Sequence, residues 1–292
     1  MAVIIDGRAI AQKIREDAKR RTAALLERGI RPCLAVVLLG EDPASASYVN
    51  AKEKALAEAG MDSRDLRLPA STSEADLLAL IASLNRDSLV HGILVQLPLP
   101  RHIREERVIT AIDPAKDVDG FHPVSLGKLV LGQTGFIPCT PNGIAALLRE
   151  LPITLNGAHA VVLGRSNIVG KPLAILLSRR DINATVTICH TGTKDLASIT
   201  RQADILIAAA GKPALVSADM IKAGAAVIDV GVNRVEDPSA KKGWRLRGDV
   251  DFKAVSEKAA YITPVPGGVG PMTIAMLIRN VAEAAEQAGN LH

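Results

Sequence analysis

Along this chain, short apolar runs alternate with longer stretches in which apolar residues recur every three or four positions. Such alternation predicts strands separated by helices. Ala9 to Leu26 carries helical periodicity, and Leu34 to Leu39 reads as a buried strand. A helix is expected from about Ser45 to Ala59, stopped by Gly60 as a C-cap. Strand-like 64–68, helix-like 74–85, a strand from Gly92 to Gln96 and a short helix from Arg104 to Ile112 follow. The stretch from Asp113 to Pro138 is rich in glycine and proline and is expected to be loop with little regular structure.

A second series begins at Thr140-Pro141, an N-cap followed by proline at the first helical position. The apolar run from Ala160 to Leu163 leads through a glycine-bounded turn into the helix-like Leu173 to Leu177. Strands are expected near 185–189, 204–209 and 226–230. Val255 to Tyr261 then leads to the turn-rich TPVPGGVGP and an amphipathic helix from Met272 to Gln287. Strand-helix-strand succession implies parallel sheets with helices on their faces. The expected fold class is therefore α/β in two domains, residues 1–139 and 140–271. The last helix (272–292) is expected to cross back onto the first domain.

Composition agrees with that architecture. Of 292 residues, 48% are hydrophobic but only six are aromatic, so Ala, Val, Leu and Ile must fill the core. Such residues suit helices packed on parallel strands. The formal charge of +4 comes without a basic tract or interleaved aromatics, which argues against a nucleic-acid-binding protein. A mildly basic surface suits anionic small molecules, and equally an unremarkable soluble surface. Three widely spaced cysteines, Cys33, Cys139 and Cys189, argue against a disulfide framework and fit a reducing compartment. No metal site is expected. The N-terminus becomes charged at once, unlike a secretory signal, and no apolar run approaches the ~20 residues needed to span a bilayer.

Five segments carry chemistry. GRSNIVGKP, from Gly164 to Pro172, follows a strand and opens a helix, the order of a phosphate-binding turn. A dinucleotide site that receives a free ribose diol places an acid about 20 residues past the glycines, at the end of the next strand. Thr187 to Lys194 contains no carboxylate there, while Arg165 and Ser166 stand on the first turn. Arginine forks and hydroxyls suit a phosphate dianion, so the expectation is NADP over NAD. A strand–turn–helix without a nucleotide is the alternative. Tyr48 and Lys52 share one helix face at i and i+4, where phenol and ammonium can reach one pocket. Alternatively, Lys52 is simply solvated. Gln96 ends a buried strand before LPLP, a position for a ligand-facing side chain or for one that binds loop backbone. In KDVDGFHP, Asp117 and Asp119 flank a valine before glycine; this is either a site or a tight turn. PCTPNG, Pro138 to Gly143, is also readable as a helix start alone.

Taken in order with VPGGVGPMT (265–273), these segments closely resemble the bifunctional methylenetetrahydrofolate dehydrogenase/methenyltetrahydrofolate cyclohydrolase family. The likeness runs from IIDGRAIA near the N-terminus to the final helix. It implies an α/β catalytic domain for folate, a Rossmann-type domain for NADP, a cleft between them and a cytoplasmic homodimer working in one-carbon metabolism. By that resemblance Lys52 is the key catalytic residue, with Tyr48 and Gln96 as partners. Asp119 would hold the pterin ring, and Pro266, Gly267 and Gly268 would line the folate site. Gly164, Arg165 and Ser166 would bind the cofactor phosphates and ribose, and Val232 would lie against the cofactor. Many relatives place a serine and a lysine at the positions of Thr191 and Gly192. Thr191 keeps the hydroxyl for the cofactor, whereas Gly192 departs from the pattern. Another two-domain NADP dehydrogenase of the shikimate type, a non-catalytic nucleotide-binding protein and a dehydrogenase lacking the second activity are the competing expectations.

Overall fold

The computed structural model describes residues 1–40, 43–240 and 243–290, with the backbone alone for 43–48. In chain order, β1 (Val3–Ile4), α1 (Gly7–Glu27), β2 (Cys33–Leu39), α2 (Pro43–Glu58), β3 (Asp62–Leu68), α3 (Glu74–Arg86), β4 (Gly92–Val95), α4 (Glu105–Ala111) and α5 (Pro123–Leu131) come first. There follow α6 (Cys139–Arg149), β5 (His159–Leu163), α7 (Gly170–Ser178), β6 (Thr185–Cys189), α8 (Leu196–Thr200), β7 (Ile205–Ala208) and β8 (Ala226–Asp229). The chain closes with β9 (Asn233–Glu236), β10 (Trp244–Arg247), α9 (Phe252–Ser256), β11 (Tyr261–Ile262) and α10 (Val269–Gly289). These elements form two compact units, one of residues 12–139 with those from Ile274 onward, the other of residues 1–11 with 140–273.

The first unit is built on a parallel sheet in the order β3-β2-β4. Central β2, CLAVVLL, is buried at all seven positions, as a strand covered on both faces must be. Edge strand β3, DSRDLRL, instead alternates in exposure and carries charges outward, which discourages pairing with another edge. Ala35, Val37 and Leu39 pack with Leu77, Ile81 and Leu84 of α3 and with Ile93 and Val95 of β4. Ser73 caps α3 by accepting from Asp76 N at 3.1 Å, and the Lys116 ammonium donates to the Leu84 and Asp87 carbonyls at its other end.

The expectation of loop across Asp113 to Pro138 is corrected here, because PVSLGKLVL forms α5. Pro123 occupies the first turn, the His122 ring accepts from Val124 N at 3.0 Å, and Gly132 ends the helix with φ +68°. The proline and glycines that suggested loop are the start and stop signals of a nine-residue helix.

The second unit holds a six-stranded parallel sheet in the order β1-β11-β8-β7-β5-β6. From β5 the chain moves outward to β6 and then returns to β7 on the other side of β5. That reversal creates a switch point, where open α/β sheets bind ligands beyond the carboxyl ends of their strands. Val161, Leu163, Leu206, Ala208, Val227 and Ile262 form its core. The N-terminal residues belong to this sheet and not with the residues that follow them: Val3 and Ile4 pair with Tyr261 and Ile262. A two-residue strand is too short to show periodicity. Gly7 completes the arrangement, since a Cβ there would stand 1.9 Å from the Gly268 carbonyl oxygen. A hairpin of β9 and β10 was also not expected; in it the Arg234 guanidinium lies 4.3 Å from the centre of the Trp244 ring.

Candidate active site

In the first unit, α2 carries Tyr48 and Lys52 one turn apart. The Tyr48 side chain lies outside the described residues. Lys52 is only 5% exposed, which rules out a solvated surface lysine. Its ammonium donates to Gln96 Oε1 at 3.1 Å. Gln96 sits just past the carboxyl end of β4, where its backbone N–H reaches the Val37 carbonyl at 2.8 Å. Its side-chain amide donates to the Leu97 carbonyl at 2.8 Å, which fixes the amide with its oxygen toward Lys52. Burial pushes the Lys52 proton affinity below the ordinary lysine range, and the nearby Asp119 carboxylate works against that effect.

The two aspartates of KDVDG have different tasks. Asp117 is buried and accepts from Phe121 N at 3.2 Å, His122 N at 2.8 Å and Ser125 Oγ at 2.7 Å. It ties the turn to the start of α5, although burial pushes its pKa up to about 6. Half-buried Asp119 is likewise raised by burial, with Lys52 opposing and the neighbouring Cys139 thiol also acting to lower it. The structure thus brings Lys52, Gln96 and Asp119 together. A buried amine whose proton affinity is lowered, beside a carboxylate, can exchange protons with a bound molecule.

In the second unit, Gly164 follows β5, Thr191 follows β6, Val232 follows β8 and Pro266 to Gly268 follow β11. All the strands run parallel, so these residues share one edge of the sheet. At the switch point Gly164 has φ +122°, and a Cβ there would meet the Ala209 carbonyl oxygen at 2.1 Å. Gly170 is needed for α7 to approach the turn, because its Cβ would lie 2.1 Å from the Gly164 oxygen. Ser166 Oγ accepts from Val169 N at 3.1 Å and Gly170 N at 3.3 Å, so this hydroxyl closes the turn into α7 and keeps its own proton to donate. Arg165 is exposed and makes no hydrogen bond or ion pair among the described residues. Past β6, the His190 to Thr193 turn is closed by its own hydrogen bonds, and Thr191 and Gly192 are exposed. Asp195, the first acid beyond β6, caps α8 by accepting from Ser198 N at 3.2 Å. Val232 is 63% exposed, an apolar side chain presented at the sheet edge. A helix N-terminus, an unengaged guanidinium, hydroxyls and no available carboxylate fit a dinucleotide that carries an extra phosphate.

Three residues escape the sequence reading. Cys139 and Asn280 are buried beside the Asp119 turn, and Asp249 is buried below the sheet edge of the second unit. Asp249 Oδ2 accepts from Ala210 N at 2.7 Å and Gly211 N at 2.8 Å, while its Oδ1 accepts from Asn233 at 2.8 Å. It therefore pins the loop after β7 to the hairpin. The GDVDF segment offered a signal, since Gly248 admits no Cβ: one would lie 1.9 Å from Asp229 Oδ2.

A parallel sheet with a nucleotide-type turn in one α/β unit, and a buried lysine–amide–carboxylate group in another, define a nucleotide-dependent enzyme of two α/β domains. Residues 5–119 match the tetrahydrofolate dehydrogenase/cyclohydrolase catalytic domain and residues 138–289 the NAD(P)-binding domain of the same description. The chain belongs to the tetrahydrofolate dehydrogenase/cyclohydrolase family. It is 58% identical to the bifunctional protein FolD of Exiguobacterium sibiricum, over 98% of this chain and 100% of that one. Among solved structures, the FolD methylenetetrahydrofolate dehydrogenase/cyclohydrolase of Campylobacter jejuni is 49% identical with a TM-score of 0.93, covering 98% and 99% of the two chains. The Trypanosoma brucei enzyme complexed with NADP and an inhibitor is 42% identical with a TM-score of 0.94, covering 99% and 98%. Shikimate dehydrogenase from Aquifex aeolicus, at 15% identity and a TM-score of 0.53, shares the fold alone.

Proposed function

We propose that the protein oxidises 5,10-methylenetetrahydrofolate to the 5,10-methenyl cation with NADP, and then hydrolyses that cation to 10-formyltetrahydrofolate. The observation that carries this reading is the buried Lys52 amine, fixed by Gln96 and facing Asp119. NADP, when bound, supplies the hydride acceptor. The first step needs orientation more than a proton carrier, which places its demand on held geometry. Asp119 accepts hydrogen bonds from the pterin and keeps the methylene carbon in register. Pro266, Gly267 and Gly268 keep the substrate-side assignment that family likeness gives them. In the second step water adds to the methenyl carbon and loses a proton, a ring nitrogen gains one as the carbon–nitrogen bond opens, and the remaining hydroxyl proton leaves to solvent as the formyl carbonyl forms, so that the charge of the cation departs as one proton. Lys52 takes the first proton as a neutral amine and returns the second as an ammonium, with Gln96 and Tyr48 orienting it.

Gly164, Arg165, Ser166 and Thr191 are assigned to the dinucleotide phosphates and ribose, and exposed Val232 to a place against the cofactor. Arg165 is the group that prefers NADP, because the acid needed for a free ribose diol is committed to the α8 cap. No helix among the described residues is long and apolar enough to cross a membrane. We assign the protein to the cytoplasm as a homodimer, on family likeness. Absorbance of NADPH formed from methylenetetrahydrofolate, in parallel with NAD, tests the first activity; decay of the methenyl band tests the second. Formation of NADPH with a methenyl product that hydrolyses only at the uncatalysed rate would reduce the protein to a dehydrogenase.

A further inference from the structure

The Asp119 turn is clamped by groups that are assigned neither to substrate nor to cofactor. Val118 is fully buried, and its side chain fills the space a Cβ would take at Gly92, 2.8 Å from Val118 Cγ1. Gly120 has φ +74°, and a Cβ on it would stand 2.6 Å from Pro138 N and 2.7 Å from the Ile137 carbonyl carbon. Between them the Val118 carbonyl receives two donors: Asn280 Nδ2 at 2.8 Å and the Cys139 thiol at 3.4 Å. Asn280 stands in the middle of α10 and is only 2% exposed. Its amide also lies 3.5 Å from the Ile137 carbonyl and 3.6 Å from Cys139 Sγ, so one side chain joins both segments of the clamp.

That carbonyl belongs to the peptide plane linking Val118 to Asp119. Rotation of the plane would swing the Cα–Cβ bond of Asp119, and a buried carbonyl with two donors resists such rotation. We propose that Asn280 is a positioning residue for Asp119: by holding the Val118 carbonyl it sets the direction in which the carboxylate leaves the backbone toward Lys52. This rests on the assignment of Asp119 to substrate. It also gives α10 a part in the chemistry beyond burying apolar surface, and it explains the spelling DVDG. The valine anchors the turn, the second aspartate works, and the glycine admits the neighbouring backbone.

A double-mutant cycle on the full-length protein tests this, with Asn280→Ala, Asp119→Ala and the pair. Asn280→Ala should raise the KM for methylenetetrahydrofolate about tenfold, the size of a typical coupling between residues in one network. It should also displace the pH profile of methenyl hydrolysis, because the carboxylate that favours the Lys52 ammonium moves. NADP affinity, read by fluorescence titration, should stay unchanged. In the Asp119→Ala background the same substitution should change KM less than about twofold, since the group it positions is gone. Equal effects in both backgrounds, or no effect in either, would overturn the positioning role. An Asp119→Ala variant with wild-type KM and rates would instead overturn the assignment of Asp119 itself. Should Asn280→Ala melt far below wild type, Asn280→Ser, which retains a donor, carries the cycle and should recover part of the loss.

Discussion

Lys52→Met separates a catalytic lysine from a structural one. Methionine keeps an unbranched side chain of similar length and deletes the amine. Burial is the largest influence on Lys52 and lowers its proton affinity, so the folded protein disfavours the ammonium relative to the unfolded chain. The unfolded chain binds that proton more tightly, so this penalty is present at neutral pH and fades as pH rises toward the ordinary lysine value of 10.5. Removing the buried ion relieves a desolvation cost of several kcal/mol, on the order found for single buried charges. Against that stand the lost bond to Gln96 Oε1, about 1.5–3 kcal/mol for a charged donor, and the lost attraction to the Asp119 carboxylate. The two sides nearly cancel, and stability should change by less than about 2 kcal/mol, a melting shift of roughly 5 °C or less. Methenyl hydrolysis should fall by about 10²–10⁴, the range that a positioned acid–base group supplies. The assay pairs the decay of methenyl absorbance with a thermal melt and NADP titration of the same protein. Hydrolysis near the wild-type rate would end the acid–base assignment. A collapse of the melt together with NADP binding would make Lys52 a structural residue.

Gly170→Ala places a Cβ 2.1 Å from the Gly164 carbonyl oxygen, a contact only backbone movement can relieve. It should cost about 1–3 kcal/mol and weaken NADP binding at least tenfold, read by melting and fluorescence titration; retention of both would show that the turn adapts. Gly192→Lys restores a cation beside Thr191, where a Cβ meets the His190 ring at 3.2 Å, a distance the ring can accommodate by shifting slightly. Its expected effect is a severalfold rise in the ratio of kcat/KM with NADP to that with NAD, and an unchanged ratio would place the phosphate elsewhere. Asp117→Asn should destabilise more at pH 4 than at pH 7, by up to about 3 kcal/mol, because the folded carboxyl titrates near 6 against a usual 3.8. The folded state binds that proton more tightly, so this contribution to stability is full below pH 4 and is lost as pH rises through 6. Chemical denaturation of both proteins across that window measures the difference, and a pH-independent cost would contradict the raised value.

What was legible in the chain follows from how far each requirement reaches along it. Lys52 and Gln96 stood out because a helix face and a strand end are local patterns, and local pattern also revealed β2, β5 and the turn at Gly164. The second unit's first strand was not legible, since two residues carry no period and β1 is defined only by its partner β11. For α5 the difficulty was the reverse: its own boundary residues, Pro123 and Gly132, imitate the composition of a loop. The positioning of Asp119 is the least local of all. Asn280 lies 162 residues from the Val118 carbonyl that it holds, on a helix that is buried nearly all round between Ala275 and Ala285. An asparagine inside an apolar stripe was the available signal. Burying its amide among apolar neighbours is unfavourable unless donors and acceptors are met, so its presence there implies a fixed polar target. Read that way, one polar residue on the core side of α10 marks the place where the fold holds the substrate-facing carboxylate still.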